Sequence, residues 1–131
     1  MDVYTILGSV YSGCGDLITA VKYTKQALEL TPNDNGWFIT NNLVSFLYQL
    51  GRYEEIRSLI GEKIYADDML ITIIAVFAVI EHKSGNYSSA DRLLKIATSQ
   101  GLDKQRIRAW LNNGKAGEDL ISDLNSIAIL D

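Results

Sequence analysis

Cysteine, proline, histidine and positive charge are all scarce in this 131-residue chain. The one cysteine, Cys14, cannot close an internal disulfide, which fits a reducing compartment. A single proline among ten glycines leaves little room for a disordered tail. The one histidine, His82, follows Glu81 and precedes Lys83 near an expected helix end, where the helix dipole is reason enough for it. Cys14 as a nucleophile would need that distant His82 beside it, and no paired metal ligands occur at helical spacing. Gly13-x-Gly15 lacks the further glycine and the preceding strand of a dinucleotide site. Twelve Lys and Arg against sixteen Asp and Glu give a net charge of −4, which disfavours phosphate backbones. The longest apolar run, Met69 to Ile80, is twelve residues including Thr72, too short to span a bilayer. Asp2 and Asp16 flank a short, interrupted apolar start that does not read as a signal peptide. These absences point away from an enzyme, a cofactor, a metal, a nucleic acid or a membrane, and toward a cytoplasmic protein. The glycosylation acceptor Asn86-Tyr87-Ser88 has no meaning in that compartment.

What the chain does contain is 47% hydrophobic residues arranged with helical spacing. The pattern predicts helices near 2–13, 16–30, 36–49, 52–62, 68–83, 87–99, 103–113 and 117–129. Asp67 or Asp68, Asn86 or Ser88, and Asp103 read as N-caps, and Gly101 as a C-terminal stop. Three chain reversals share a glycine: Gly13-Cys14-Gly15-Asp16, Gly51-Arg52-Tyr53 and Gly85-Asn86-Tyr87. Gly15, Gly51 and Gly85 follow one another at offsets of 36 and 34 residues. Glycine is expected there because a chain leaving a helix often takes a left-handed conformation.

Within the first period, Tyr4-x2-Leu7-Gly8-x2-Tyr11 is followed by Ala20, Ala27 and Pro32. This spacing resembles the tetratricopeptide repeat, a pair of antiparallel helices packed through small residues with a period near 34. The resemblance extends to about residue 102. It predicts an all-α right-handed superhelix of helical hairpins, one domain over 1–131. Its repeats would cover about 1–35, 36–68 and 69–102, with capping helices at 103–131. Departures are visible. Thr24 stands where a large apolar residue is usual, Val44 where a small one is, and two extra residues lie near Pro32-Asn33-Asp34-Asn35-Gly36. The related pentatricopeptide hairpin also fits Ser9 to Asp16, but Pro32 after Ala27-Leu28-Glu29-Leu30 favours the tetratricopeptide reading.

The resemblance implies a non-enzymatic protein-binding scaffold whose first helices line a concave groove. Repeat one would contribute Thr5, Ser9 and Ser12, repeat two Phe38, Asn41, Ser45 and Tyr48, and repeat three Thr72, Ala75, Val79 and His82. The groove would run from polar to apolar and hold an amphipathic helix or peptide of another protein. Val79→Glu is expected to abolish capture without unfolding the chain. A lysine, asparagine and arginine clamp for acidic tails is not expected, because Thr5, Ser9, Thr72 and Val76 occupy its positions and only Asn42 fits. Lys104, Arg106 and Arg108 read as a solvated face.

From residue 103 the repeat pattern fades. Trp110 and Leu111 are expected to cover the end of repeat three. Leu120, Ile121, Leu124, Ile127 and Ala128 share one helical face, and Ile129 and Leu130 extend the apolar end, so a docked C-terminal helix is expected. Small size, acidity and an apolar groove resemble the tetratricopeptide chaperones of bacterial type III secretion. The alternatives are a trimmed scaffold arm of a larger enzyme or assembly factor, since no capping sequence is expected ahead of the first helix, and self-association through the C-terminal helix.

Overall fold

The computed structural model describes residues 2–110 and 114–127. Helices α1 (Val3–Gly13), α2 (Leu17–Leu30) and α3 (Phe38–Gln49) belong to a first compact unit that runs to Arg52. Helices α4 (Tyr53–Ile60), α5 (Ile71–Lys83), α6 (Tyr87–Ser99), α7 (Lys104–Arg108) and α8 (Gly114–Asn125) belong to a second, which begins at Tyr53. No strand occurs among the described residues. The all-α expectation holds, and the unit boundary falls inside the expected second repeat.

Each reversal is built by one set of backbone bonds. After α1, Gly15 N–H donates to Ser12 O at 3.0 Å and Asp16 N–H to Tyr11 O at 2.9 Å. This satisfies carbonyls that the helix end would otherwise leave orphaned, and it requires the φ of 83° that Gly15 adopts. The same pair recurs after α3, where Gly51 donates to Tyr48 O and Arg52 to Leu47 O, and after α5, where Gly85 donates to His82 O and Asn86 to Glu81 O. It appears a fourth time where Gly101 stops α6, donating to Thr98 O while Leu102 donates to Ala97 O.

Helix starts are more varied. Asp2 caps α1, accepting from Thr5 N at 2.9 Å, so a capping residue does precede the first helix. Asp16 repeats that arrangement with Thr19 N at 3.1 Å and the Thr19 hydroxyl at 2.7 Å. The two extra residues after Pro32 are absorbed in a 3-10 turn, Asn35–Trp37, in which Gly36 (φ 73°) and Trp37 (φ 61°) are both left-handed. Asp34 spans that turn and caps α3 from a distance, accepting from Ile39 N at 3.0 Å and Thr40 N at 2.7 Å. Helix α5 corrects the expectation: it starts at Ile71 behind Leu70, and neither Asp67 nor Asp68 caps it. Residues Gly61–Tyr65 form a 3-10 turn, and the chain from Ala66 to Leu70 has left the helical path before α5 begins. Asn86 precedes α6 without capping it through its side chain. Asp103 does cap α7, accepting from Arg106 N at 2.8 Å.

In the first unit α2 packs against both α1 and α3. Ala20 and Ala27 are fully buried, and Gly8 faces Thr24 so closely that a β-carbon at residue 8 would lie 2.5 Å from the Thr24 hydroxyl oxygen. Small residues thus set the helix separation, as a helical hairpin of this kind needs. In the second unit α5 packs against α4, α6, α8 and the Gly61–Tyr65 turn. Its run Ile73 to Glu81 is buried throughout, as an all-round apolar helix requires. Helix α8 begins three residues earlier than expected, so Gly117 lies inside it, with its β position 2.9 Å from the Ile107 carbonyl oxygen of α7. Leu120, Ile121 and Leu124 of α8 are buried and Ile127 is half-buried, which is the docked helix expected. Trp110 is buried; Leu111, Ala128, Ile129 and Leu130 lie outside the described residues.

Candidate protein-binding surface

The eleven residues expected to line a groove divide by exposure, and Ser12 at the end of α1 is partly exposed. Ser9 and Phe38 are exposed, and Asn41, Thr72 and His82 are partly so. Thr5, Ser45, Tyr48, Ala75 and Val79 are buried. The causes are local for several of them. Thr5 lies in the first turn of α1, where its N–H and hydroxyl both donate to the Asp2 carboxylate. Ser45 is fully buried and its hydroxyl accepts from Gln49 at 3.3 Å. Ala75 and Val79 sit on α5, which its own unit surrounds. Val79→Glu would therefore bury an unpaired carboxylate and destabilise the second unit, so it is not a clean test of capture. Asn42, the single residue matching an acidic-tail clamp, is 7% exposed.

In the first unit the accessible set is Ser9 on α1 with Phe38 and Asn41 on α3. Phe38 is 49% exposed at the first position of α3, and Asn41 follows three residues later on the same helical side. The left-handed pair Gly36-Trp37 sets the direction in which α3 begins and hence where Phe38 stands. In the second unit His82 packs edge-on against Tyr87, with ring centroids 4.9 Å apart, and Thr72 opens α5.

A surface that the sequence reading did not assign lies on α1. Val3, Ile6 and Val10 are 66%, 47% and 53% exposed and occupy i, i+3 and i+7. Tyr4 and Tyr11 are turned the other way, each stacking on Tyr23 of α2 at 6.2 and 5.6 Å. The helix is thus apolar on two faces. The sequence carries the signal, because three apolar residues at helical spacing remain once Tyr4, Leu7, Gly8 and Tyr11 are assigned inward.

Polar organisation in the second unit centres on Glu81, which is 6% exposed. Its carboxylate accepts from Arg57 Nη1 of α4 and from Asn86 Nδ2 at 3.1 Å, while Arg57 Nη2 donates to the Ser84 hydroxyl at 2.8 Å. Lys83 lies 3.9 Å from Asp123 of α8 and over the Tyr53 ring at 6.0 Å. These contacts tie α4, the α5–α6 reversal and α8 to one helix end. Of the basic cluster, Arg106 and Arg108 are exposed, and Arg108 bonds Glu118 at 2.9 Å. Among the described residues no group of metal-ligating side chains converges, and no helix is long and apolar enough to cross a membrane.

Helical hairpins joined by a recurring glycine reversal, with small residues at the helix contacts, define a helical-repeat protein of the kind that binds other proteins. The tetratricopeptide repeat family model matches residues 2–34, which are α1, α2 and the start of the loop after them. The match covers one repeat, about a quarter of the chain, and identifies the α1–α2 hairpin as a tetratricopeptide repeat. No curated protein and no solved structure matches it significantly.

Proposed function

We propose that this chain holds an apolar helix or extended peptide of another protein against the inner helices of its repeats. Repeats of this family generally serve as protein–protein interaction modules, and that coarser role follows from the match at residues 2–34. The observation that carries the finer reading is Phe38, a large aromatic ring half in solvent at the start of an otherwise buried helix. A buried aromatic anchor with polar neighbours is the usual core of a binding site. In the same unit Ser9 and Asn41 are the remaining expected contacts with surface to offer, and Thr72 and His82 offer surface within the second unit. The glycine reversals at Gly51 and Gly85 support reading residues 36–68 and 69–102 as two further repeats, with 103–131 as a C-terminal cap. The specialisation we favour is a small cytoplasmic chaperone that shields an aggregation-prone helix, as in type III secretion. A scaffold arm within a larger assembly is the alternative. Self-association through α8 is the weaker alternative, because Leu120, Ile121 and Leu124 already spend their apolar surface within the second unit.

Site-specific photo-crosslinking in cells tests the reading. A crosslinking residue at position 38 or 9 should yield one discrete protein adduct, and one at exposed Lys95 should yield none. Equal labelling from both faces, or no adduct at position 38, would refute it.

A further inference from the structure

We infer that Asn35-Gly36, in the turn between α2 and α3, is a self-modifying site. The Asn35 amide is lost by cyclisation onto the Gly36 nitrogen, and the isoaspartate that results loosens the start of α3. The sequence supplies the reacting pair, because a glycine nitrogen has no β-carbon beside it to obstruct the preceding side chain. The structure leaves that pair open. Asn35 and Gly36 are both exposed, and no hydrogen bond among the described residues holds the Asn35 side chain or the Gly36 N–H. Asn86 differs on both counts: its Nδ2 donates to Glu81 at 3.1 Å, and a tyrosine follows it. The turn also opens readily. Two short-range backbone bonds close it, Asn35 N–H to Asn33 O and Trp37 N–H to Asp34 O, both at 3.0 Å. Opening releases Trp37 from a left-handed φ of 61°, which a bulky side chain adopts only under strain.

Hydroxide removes the Gly36 amide proton, and the nitrogen attacks Asn35 Cγ. The Cγ–Nδ2 bond breaks, and Nδ2 leaves as ammonia, taking its third hydrogen from water. Water then opens the cyclic imide at either carbonyl. Cleavage of the new Cγ–N bond yields aspartate, whereas cleavage of the original peptide C–N bond yields isoaspartate, whose main chain runs through Cβ and Cγ. Either product adds one negative charge to the net −4. Only isoaspartate lengthens the chain, by one carbon, and that carbon falls inside the span Asp34 bridges. Asp34 accepts from Ile39 N at 3.0 Å and Thr40 N at 2.7 Å, so a longer path between residues 34 and 39 draws the carboxylate off both donors. Phe38 lies within the same span. The binding surface proposed above would thus age with the chain, a consequence that rests on that reading while the modification itself does not.

Incubation of the intact chain in mildly alkaline buffer, followed by peptide mapping with mass spectrometry, is the direct test. Asn35 should convert roughly tenfold faster than Asn33, Asn41, Asn42, Asn86 or Asn125, with isoaspartate the larger product and a rate proportional to hydroxide concentration. Asn113-Gly114 is the other asparagine–glycine pair in the sequence and is followed in the same map. Amide exchange then reads the cap: in the isoaspartate chain Ile39 and Thr40 should exchange roughly tenfold faster than in the unmodified chain. A freshly purified Asn35→Asp variant carries the charge without the added carbon and should keep the unmodified exchange rates. An unconverted Asn35, conversion confined to Asn113, or unchanged exchange at Ile39 and Thr40 after conversion overturns the inference. So does equal acceleration in Asn35→Asp, which would assign the effect to charge instead of chain length.

Discussion

Replacing Gly8 by alanine adds one methyl group at the closest approach of α1 and α2. That methyl would stand 2.5 Å from the Thr24 hydroxyl oxygen and 3.4 Å from the Ala20 carbonyl oxygen. Thr24 has little room to yield. It is 1% exposed, and its hydroxyl is held by a 2.7 Å bond to Ala20 O. Rotating the hydroxyl away would break that bond and swing the γ-methyl toward the same gap, because a β-branched residue in a helix has few rotamers. Alanine is the better helix former by about 1 kcal/mol, whereas overpacking a tight contact costs about 1–3 kcal/mol. The clash wins, and the net loss is about 1 kcal/mol, or roughly 3–4 °C in Tm for a chain of this size. Thermal melts of Gly8→Ala, Thr24→Ala and the double variant form a cycle that isolates the contact. Thr24→Ala alone should cost about 1–2 kcal/mol through a lost methyl and hydroxyl. In the double variant the new methyl fills the vacated space, giving a favourable coupling of about 1–2 kcal/mol. Thr24→Ser keeps the oxygen and should not rescue Gly8→Ala. A stabilised Gly8→Ala, or effects that add to within about 0.5 kcal/mol, would refute the reasoning.

Gly117→Ala should cost more, about 2 kcal/mol, because the added carbon meets the Ile107 backbone carbonyl at 2.9 Å and no rotamer relieves it; a urea midpoint at or above wild type would contradict this. Arg57→Ala strips the guanidinium from the buried Glu81 carboxylate and should destabilise the second unit by about 2–3 kcal/mol, with Glu81→Gln in the Arg57→Ala background restoring part of the loss. Asp2 is held below the ordinary carboxylate value of 3.8 chiefly by the Thr5 backbone N–H, and Asp16 chiefly by the Thr19 hydroxyl. A folded value below the unfolded one means the stabilisation is full above that ordinary value and is lost as pH falls through the folded value, so the first turns of α1 and α2 should fray in strong acid. Carboxyl-carbon NMR titration should place both midpoints below 3.8 and show a larger upward shift of Asp16 in Thr19→Val than of Asp2 in Thr5→Val; equal shifts would contradict the assignment.

The fold was legible where the backbone forces a residue choice. Gly15, Gly51 and Gly85 announce three reversals, and all three carry the same two hydrogen bonds. Helix ends were less legible where a cap comes from an unusual distance, as with Asp34 on Ile39 and Thr40, or where no side chain caps at all, as at Leu70. The candidate site was only half legible. Position within a repeat names Ser45, Tyr48, Ala75 and Val79 as lining residues, but exposure depends on what else the chain packs there, and that packing has no local signal. The Arg57–Glu81 pair is separated by 24 residues and was invisible for the same reason. The exposed stripe on α1 is hard to read for a different cause: Val3, Ile6 and Val10 have helical spacing that a core face would also have, so their exposure shows only in the packed structure.

The four glycine reversals bear on how a repeat can persist while its side chains diverge. Each reversal closes two backbone bonds that depend on chain direction and on one left-handed residue, and on no neighbouring side chain. Helix contacts, by contrast, are negotiated pairwise. Thr24 tolerates Gly8 because both are small, and Gly117 accommodates Ile107 in a contact of different design. The match at residues 2–34 rests on the hairpin that keeps both the reversal and the familiar side-chain spacing. Helices α5 and α6 keep the reversal but surround α5 with apolar partners on every side, so their side-chain pattern departs while the backbone turn stays. Changing Gly85 to alanine should then damage the α5–α6 hairpin about as much as Gly15→Ala damages α1–α2, roughly 1 kcal/mol each, despite their unlike surroundings. Amide exchange at Asp16 and Asn86, the residues donating the longer-range bond of each reversal, reports the two effects separately, and a loss confined to one of them would show that side-chain packing, not the backbone reversal, holds the other hairpin closed.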